Sequence, residues 1–472
     1  MEHASAGYSV TIRVRIKNIP GKLSRLLRRV GALGGSIAEV VLLHSEFHFN
    51  IREITINCSS VEHAEQIIRH APTVEGIELI SWRDDTFELH RGGKLEIASR
   101  TVLRTHDQLS RAYTPGVARV CAAIASAADK AHEYTIKGNF IAIVTDGSAV
   151  LGMGNIGPAA ALPVMEGKAI LFKQFGGVDA FPVCLATQQT EEIIQTVQRI
   201  SPVFGGINLE DVAAPRCFEI EERLQDALDV PVFHDDQHGT AVVVLAGLLN
   251  AVKLVGKELP QLKVVINGFG AAGVACARIL LSSGVGNIVP CDSHGIIHRG
   301  RKEGMNLIKQ NMAEKVNPNN EQGSLTQALR QADVFIGVSA PGVLTPDMVR
   351  EMSEDPIVFA LANPVPEIDP EELQGIARVI ATGRSDYENQ INNVLCFPGL
   401  FRGALDCRAR KITEGMKLAA ARAIAQAVSV EDLGQGRIVP DIYKEGLGAL
   451  VARSVSAAAA ADGVARVSPS LD

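Results

Sequence analysis

Over the first 90 residues the apolar and polar positions alternate first with the period of a strand and then with that of a helix. Every second residue from 8 to 16 is apolar, which predicts a strand with one buried face. Leucine and valine then recur at helical spacing over residues 23–33, with arginines on the other side, which predicts an amphipathic helix. Residues 36–43, 47–57 and 77–82 are typical of further strands around a second helix. The predicted order is βαββαβ, an α+β scaffold that many functions share.

Two local features of this region are predicted in more detail. The apolar phase slips between Ile51 and Ile54, as a β-bulge requires, so we expect a kink near Arg52. Ser59 and Glu62 have the spacing of a capping box at the start of the second helix.

From about residue 100 onward, short apolar runs alternate with helical stretches, which is typical of α/β layers built on parallel sheet. The predicted strands are residues 140–145, 181–186, 262–267, 287–290, 334–337 and 357–360. An alanine cluster at residues 457–461 lies in a predicted C-terminal helix.

Composition and charge exclude several classes of protein. A length of 472 residues with 46% hydrophobic and 21% charged residues is ordinary globular usage. The net charge of −7 and the lack of a basic stretch argue against a nucleic-acid partner. The most apolar run, residues 241–252, is about half of what a bilayer span needs. This short run predicts no membrane partner. Eight cysteines without a CxxC pair suggest neither a disulfide framework nor a zinc site, and we expect a protein of the cytoplasm.

The glycine signature at residues 268–273 predicts a Rossmann-type dinucleotide site. It consists of Gly268, Gly270, Ala271, Ala272 and Gly273 within GFGAAG, and it follows a predicted strand and opens a predicted helix. Such glycines let the backbone approach a pyrophosphate at a helix N-terminus.

Asp292 lies at the end of the next strand, about 20 residues after the glycines. Its carboxylate is suited to bind a ribose diol, which favours NAD, although Arg299, Arg301 and Lys302 lie close enough in sequence to leave NADP open.

A second GxGxxG, at residues 152–157, follows a tight turn at residues 145–148, and its helix carries Pro158 and Pro163. This context favours a substrate loop over a pyrophosphate cradle, and glycines that serve only close packing are the alternative.

Two acidic pairs each follow an apolar, strand-like run. They are Glu210 with Asp211 and Asp235 with Asp236, near strand ends where α/β folds build their sites. Carboxylate oxygens suit a hard ion such as Mg²⁺ or Mn²⁺. His234 and His238 could suggest zinc, but histidines beside acids more often support the ligands or the structure.

Several segments in order along the chain resemble the successive motifs of the malic enzymes. They are YTPGVA at 113–118, VTDGSAVLGMGNIG at 144–157, MEGK at 165–168, LED at 209–211, HDDQHGTA at 234–241, LANPVPE at 361–367 and QINNVLCFPG at 390–399. The resemblance implies oxidative decarboxylation of (S)-malate to pyruvate and CO2 with NAD or NADP and Mg²⁺ or Mn²⁺.

Matched motif by motif, the resemblance implies Tyr113 as general acid and Lys168 as general base, with Asp235 adjoining the site. It implies three metal ligands, which are Glu210, Asp211 and Asp236.

The same resemblance implies that Asn363 and Asn393 contact substrate and that Asn392 lies near the nicotinamide. Larger family members carry a malate-binding arginine where this chain has Ala149, so another cation or a partner subunit must replace it.

The chemistry explains these residue types. Removing the C2 hydroxyl proton near neutral pH requires a lysine whose pKa is lowered by burial and by a nearby cation. A metal acting as a Lewis acid stabilises the developing enolate, and a phenol close to the lysine can protonate C3.

The N-terminal strand, the NIPGKL turn at residues 18–23 and the leucine helix resemble an ACT domain, although the family turn usually starts with Asp where this chain has Asn18. The resemblance implies a small-molecule effector site, and a purely dimerising module is the alternative.

The predicted organisation is an ACT-like α+β domain at 1–90, a malic domain at 91–235, a Rossmann-type domain at 236–392 and a C-terminal helical segment at 393–472 that returns to the substrate domain. A homodimer is expected, since two-fold assemblies are the commonest. Two other functions stay open: a metal-independent NAD-dependent amino-acid dehydrogenase, and a catalytically inactive ACT-based ligand sensor.

Overall fold

A four-stranded antiparallel sheet with two helices on one face forms the first of two units into which the chain divides, Met1–Glu96 and Ile97–Asp472. The computed structural model describes residues 4–468. The elements of the first unit are β1 Ser5–Lys17, α1 Lys22–Ala32, β2 Ser36–Ser45, β3 Phe49–Cys58, α2 Val61–His70, β4 Ile77–Asp84 and α3 Asp85–His90. The sheet order is β2-β3-β1-β4, so the predicted βαββαβ order is confirmed.

The alternation in β1 predicts the buried face correctly, because Val10, Ile12, Val14 and Ile16 are all buried. The expected bulge lies in a different strand. β3 pairs continuously with β1 through Arg52, whereas the pairing of β2 with β3 shifts between Leu42 and His44. The extra residue therefore belongs to the edge strand β2, where an unpaired residue disturbs only one ladder.

The cap of α2 also differs from the predicted one. Ser60, not Ser59, is the N-cap residue, and its hydroxyl accepts a hydrogen bond from the backbone N–H of His63. The helix therefore begins one residue later than the Ser59–Glu62 spacing indicates.

The second unit contains two parallel sheets covered by helices. Its first half comprises α4 His106–Ala112, α5 Val117–Ser126, α6 Ala131–Tyr134, β5 Phe140–Thr145, α7 Pro158–Gly176, β6 Asp179–Cys184, α8 Thr190–Ile200, β7 Gly206–Leu209, α9 Arg216–Ala227, β8 Val232–His234 and α10 Asp235–Val255. The four strands have the order β6-β5-β7-β8 and are all parallel.

The other sheet has the order β11-β10-β9-β12-β13-β14 and is parallel except for β11. Its region comprises β9 Lys263–Asn267, α11 Ala271–Ser282, β10 Asn287–Asp292, β11 Gly295–Ile296, α12 Leu307–Ala313, α13 Leu325–Leu329, β12 Val334–Gly337, α14 Pro346–Arg350, β13 Ile357–Ala360 and β14 Val379–Thr382. The helices α15 Phe397–Asp406, α16 Glu414–Gln426, α17 Val430–Gly434 and α18 Leu447–Ala461 follow. The strand order places a switch point between β9 and β12, as in a Rossmann-type fold.

One hydrophobic core links both sheets of this unit. It contains Ile141 of β5, Val264 of β9 and Phe401 of α15, and the rings of Phe172 and Phe397 lie 4.5 Å apart where α15 packs on α7. The predicted domain boundaries at 235 and 392 fall inside this unit and stay predictions.

Helix α10 has 21 residues, longer than the apolar run that suggested half a bilayer span. Among residues 4–468 it alone has the length and composition of a membrane span, and 67% of its apolar window is buried within the protein. Its apolar surface is used in packing against α11 and α16.

Candidate active site

A buried lysine lies between two carboxylates at the carboxyl ends of β7 and β8. Lys168 extends from α7, and its Nζ donates to Oε1 of Glu210 at 3.0 Å and to Oδ2 of Asp235. The ammonium also lies 3.9 Å from the centre of the Phe397 ring. The site therefore brings together the predicted base and two of the predicted acids.

Neighbouring residues hold these acids in place. The amide of Asn208 donates to Oε2 of Glu210 at 2.8 Å, and the amide of Asn393 donates to Asp235. Asn208 was missed in the sequence, although its position two residues before Glu210 places both side chains on the same face of the strand.

Gly239 makes room for Asp235 one turn further along α10. A Cβ atom at Gly239 would lie 1.9 Å from Oδ1 of Asp235, so a side chain there is incompatible with this carboxylate position.

The acidic side chains strongly perturb one another. Burial, followed by the charges of Asp236 and Glu210, raises the pKa of Asp211 to about 9. Burial raises the pKa of Asp235 to about 8 against the opposing charge of Lys168. These carboxyls therefore carry a full set of charges only when a further cation accompanies them.

The pKa of Lys168 departs from the predicted direction. Burial alone would lower this pKa, but the charges of Asp235 and Glu210 outweigh burial and raise it above its ordinary value. The lysine is held as an ammonium by the acids, and the lowered pKa that the chemistry requires depends on a second positive charge beside Glu210.

The donor set fits a hard divalent cation. Asp211 follows Glu210 with a positive φ of 55°, and its backbone N–H donates to Oδ2 of Asp236 at 2.8 Å. Oδ2 of Asp211 and Oδ1 of Asp235 are buried without a hydrogen-bond partner in the described structure. Glu210, Asp211 and Asp236 offer the oxygen ligands that Mg²⁺ or Mn²⁺ takes.

The sequence predicts that Glu210, Asp211 and Asp236 bind one ion, but their side chains do not converge on one point in the structure. Within residues 4–468 no three acidic, histidine or cysteine side chains already form a metal-binding group. Instead, Glu210 accepts from Lys168, and Asp236 accepts from the backbone N–H of Asp211.

The two histidines of this segment have supporting positions. His238 lies 2.9 Å from Oε2 of Glu221, whose Oε1 accepts from the backbone N–H of His234 at 2.9 Å. Glu221, a buried carboxylate that sequence reasoning missed, thereby fixes the start of α10, and the pattern agrees with structural histidines more than with zinc ligands.

The glycine signature at residues 268–273 forms a tight strand-to-helix turn. A Cβ at Gly268 would lie 2.3 Å from the Val338 carbonyl oxygen, and one at Gly273 would lie 2.0 Å from that of Gly268. Gly270 faces open space, and α11 begins at Ala271 without a side-chain cap, so its first N–H groups are free to bind a pyrophosphate. Ala272 lies in this first turn.

Asp292 ends β10 as predicted, but two cations hold its carboxylate. Arg301 donates to Oδ1 at 2.9 Å and also to Oδ2, and Lys309 donates to Oδ2 at 2.6 Å. Burial raises the pKa of Asp292, but these hydrogen bonds lower it by more, to about 2. Arg301 was among the cations noted in the sequence, whereas Lys309 was missed because it lies 17 residues away.

Of the two asparagines predicted to contact substrate, Asn363 lies near the glycine motif at residues 152–157 and Asn393 lies beside Asp235. A Cβ at Gly152 would lie 2.4 Å from the carbonyl oxygen of Asn363, and this proximity agrees with a substrate loop. Asn393 contacts Asp235, whereas the side chain of Asn392 caps the short 3-10 helix Asn393–Leu395.

The structure does not place Tyr113 in this cluster. Tyr113 ends α4, and 68% of its surface is exposed. Arg216 is paired with the buried Asp146 at 2.6 Å, and the replacement for the arginine missing at Ala149 stays a prediction.

Comparisons with known proteins agree over nearly the whole chain. Residues 92–225 match the family description "Malic enzyme, N-terminal domain", and residues 237–460 match "Malic enzyme, NAD binding domain". The NAD-dependent malic enzyme of Geobacillus stearothermophilus is 54% identical over 461 residues, which are 98% of this chain and 96% of that protein. The bifunctional malic/malolactic enzyme of Bacillus subtilis is 53% identical over 82% of this chain and 95% of that protein.

Solved structures agree with this. The malic enzyme from Pyrococcus horikoshii has 49% identity and a TM-score of 0.78, covering 81% of this chain and 92% of that one. The NAD-dependent malic enzyme from Thermotoga maritima has 48% identity and a TM-score of 0.77, and the match covers 79% of this chain and 99% of that one.

Proposed function

The chain belongs to the malic enzyme family, and from this premise we propose how its residues oxidatively decarboxylate (S)-malate to pyruvate and CO2 while NAD⁺ or NADP⁺ is reduced. The observation that carries the proposal is the buried Lys168 ammonium held by Glu210 and Asp235 at the ends of two parallel strands. The proposed base and two of the proposed acidic residues therefore belong to one cluster.

In this proposal Lys168 accepts the proton of the malate C2 hydroxyl as a neutral amine, the form that a further cation beside Glu210 would favour, and Asp235 orients that amine toward the hydroxyl. Asn393 fixes Asp235 in turn. Glu210, Asp211 and Asp236 would hold the divalent ion, which supplies Lewis-acid stabilisation of the enolate oxygen. The turn from Gly268 to Gly273 would bind the cofactor pyrophosphate, with Asp292 toward the adenosine ribose and Asn392 toward the nicotinamide.

Tyr113 donates the proton to C3 in this proposal, and its exposure supports a site that is completed in a homodimer. The segment from residue 97 to 136 leaves many apolar side chains in solvent, and α4 and α5 contain no buried residue. Surfaces of this kind are typical of protein interfaces. Examples are Ile97, Val102, Leu103, Leu109 and Ile136.

Light scattering should therefore give twice the chain mass, and mixing Tyr113→Phe with Lys168→Ala subunits should restore activity that neither variant has. A monomeric, active wild type would contradict the homodimer, and a dimer whose mixed variants stay inactive would contradict the shared site.

The first unit would bind a small-molecule effector or serve as a second dimer contact. Its own core supports its independence from the catalytic unit. Deleting residues 1–91 should leave the reaction intact and remove any effector response or lower the oligomer mass. Unchanged kinetics, effector response and oligomer mass would contradict both roles.

The cytoplasm is the proposed location. All eight cysteines are free, and six of them are buried, which agrees with a reducing compartment.

The decisive experiment is a steady-state assay with malate that compares NAD with NADP, with Mn²⁺ or with EDTA. Pyruvate formation that needs Mn²⁺ supports the proposal. Activity that survives EDTA and requires ammonia would instead indicate an amino-acid dehydrogenase, and a protein inactive under all conditions would indicate a ligand sensor.

A further inference from the structure

Glu367 is a buried carboxylate that no step above uses. It follows β13, and 0% of its surface is exposed. Its Oε1 accepts from the backbone N–H of Ser339 at 2.8 Å and from the Ser339 hydroxyl at 3.0 Å, and its Oε2 accepts from the backbone N–H of Ala362 at 3.0 Å. In the described part of the chain these three donors, and no lysine or arginine, face the carboxylate. A buried acid is costly unless its hydrogen bonds are satisfied. The loop that carries Ser339 and the loop that carries Ala362 are therefore both held by the Glu367 carboxylate.

The first of these loops contacts the cofactor turn. The Ser339 hydroxyl accepts from the amide of Asn267 at 2.8 Å, and Asn267 directly precedes Gly268. A Cβ at Gly268 would lie 3.0 Å from Cβ of Ser339, so the cofactor turn and the Ser339 loop are in direct contact.

The second loop carries a substrate residue. Ala362 directly precedes Asn363, whose carbonyl approaches the glycine motif at Gly152. The two oxygens of Glu367 therefore connect the loop that packs on the cofactor turn with the loop that carries Asn363.

The end of β12 is shaped to admit this side chain. A Cβ at Gly337 would lie 2.4 Å from Cδ of Glu367, so the missing side chain leaves the space that the carboxyl fills.

We propose that Glu367 is a positioning residue that fixes the cofactor turn relative to Asn363 and thereby aligns the nicotinamide with malate. This inference rests on the proposed function. A carboxylate can accept on both oxygens at once, whereas an amide offers one acceptor oxygen, so glutamate is the side chain that serves both loops.

Two variants separate the two halves of this connection. In Glu367→Gln the amide oxygen can keep the two Ser339 donors, but its NH2 group meets the N–H of Ala362. The KM for malate should rise about tenfold while the Kd for NADH, followed by NADH fluorescence, stays within about twofold. In Ser339→Ala the lost hydroxyl should raise the Kd for NADH about fivefold and leave the KM for malate within about twofold.

Asp333→Asn is the matched control. Asp333 lies at the opposite end of β12 and also accepts three hydrogen bonds, from Lys257, Ser353 and the backbone of Lys263. This variant should lower the thermal midpoint without changing either constant.

The inference is overturned if Glu367→Gln leaves both constants within twofold of wild type, or loses activity only in proportion to its thermal midpoint, as the control does. It is also overturned if Ser339→Ala binds NADH as wild type does. A wild-type protein that binds NADH without oxidising malate would contradict the proposed function instead, so the two failures are distinguishable.

Discussion

The charge on Lys168 is fixed by the residues around it more than by burial. Replacing Lys168 with Ala should lower kcat roughly 10²- to 10⁴-fold, because a general base contributes about that much. The change also leaves Glu210 and Asp235 without the lysine cation that they pair with. Because a bound Mn²⁺ would replace part of that charge, the thermal midpoint of the variant should fall more in EDTA than in Mn²⁺. Lys173→Ala is the matched control, since it lies on the same helix and pairs with Asp179 at the surface. Equal loss of kcat in both variants would rule out Lys168 as the base.

We expect the carboxylate of Asp292 to govern the choice between NAD and NADP. Asp292→Ala removes the predicted ribose acceptor and frees Arg301 and Lys309 to meet a 2′-phosphate. The kcat/KM for NAD should fall about tenfold and the value for NADP should rise, since one hydrogen bond to a charged group contributes about 1.5–3 kcal/mol. Adding Lys309→Gln should reverse the gain with NADP. A wild type that already prefers NADP would show instead that the two cations dominate over Asp292.

Among the secondary-structure elements, those with strong periodicity were predictable and those defined by tertiary contacts were not. The strands at residues 140–145, 334–337 and 357–360 have the predicted bounds, because continuous apolar runs mark buried parallel strands. β14 was missed, although with four residues it is as long as β12 and β13.

The candidate site shows the same division. The sequence indicated acids near the ends of β7 and β8, but the contacts of Glu221 and Lys309 join residues 13 and 17 positions apart on different elements. Asn208 was missed although its partner Glu210 is only two residues away. The exposure of Tyr113 could not be predicted either, because an aromatic residue within a motif gives no signal of how much of its surface is buried.

Helix α10 offers a test of how one glycine shapes the site. An alanine inside a helix is ordinarily favoured over glycine by about 1 kcal/mol. In Gly239→Ala the added Cβ would lie 1.9 Å from Asp235, and this overlap outweighs the propensity. The carboxylate must move, and we expect about a 10²-fold loss of kcat. Gly247→Ala in the same helix is the control, since its nearest neighbour is a methyl group at 3.3 Å. Equal activity of the two variants would show that the position of Asp235 is unimportant.

For the whole molecule, the crowded acids couple stability to pH and to metal. The pKa of Asp211 rises from 3.8 to about 9 on folding, so the folded state binds this proton more tightly than the unfolded chain does. The metal-free protein should therefore lose stability as pH increases from about 4 toward 9, by up to about 1.4 kcal/mol per pH unit for each such carboxyl.

A divalent ion requires the deprotonated form of these carboxyls, so the metal affinity increases over the same pH range. The difference between thermal midpoints in Mn²⁺ and in EDTA should accordingly widen from about pH 6 to about pH 9. In Asp211→Asn this widening should shrink, because the substituted amide has no proton to lose. A difference that stays constant with pH in the wild type would contradict the coupling between metal binding and the protons of these acids.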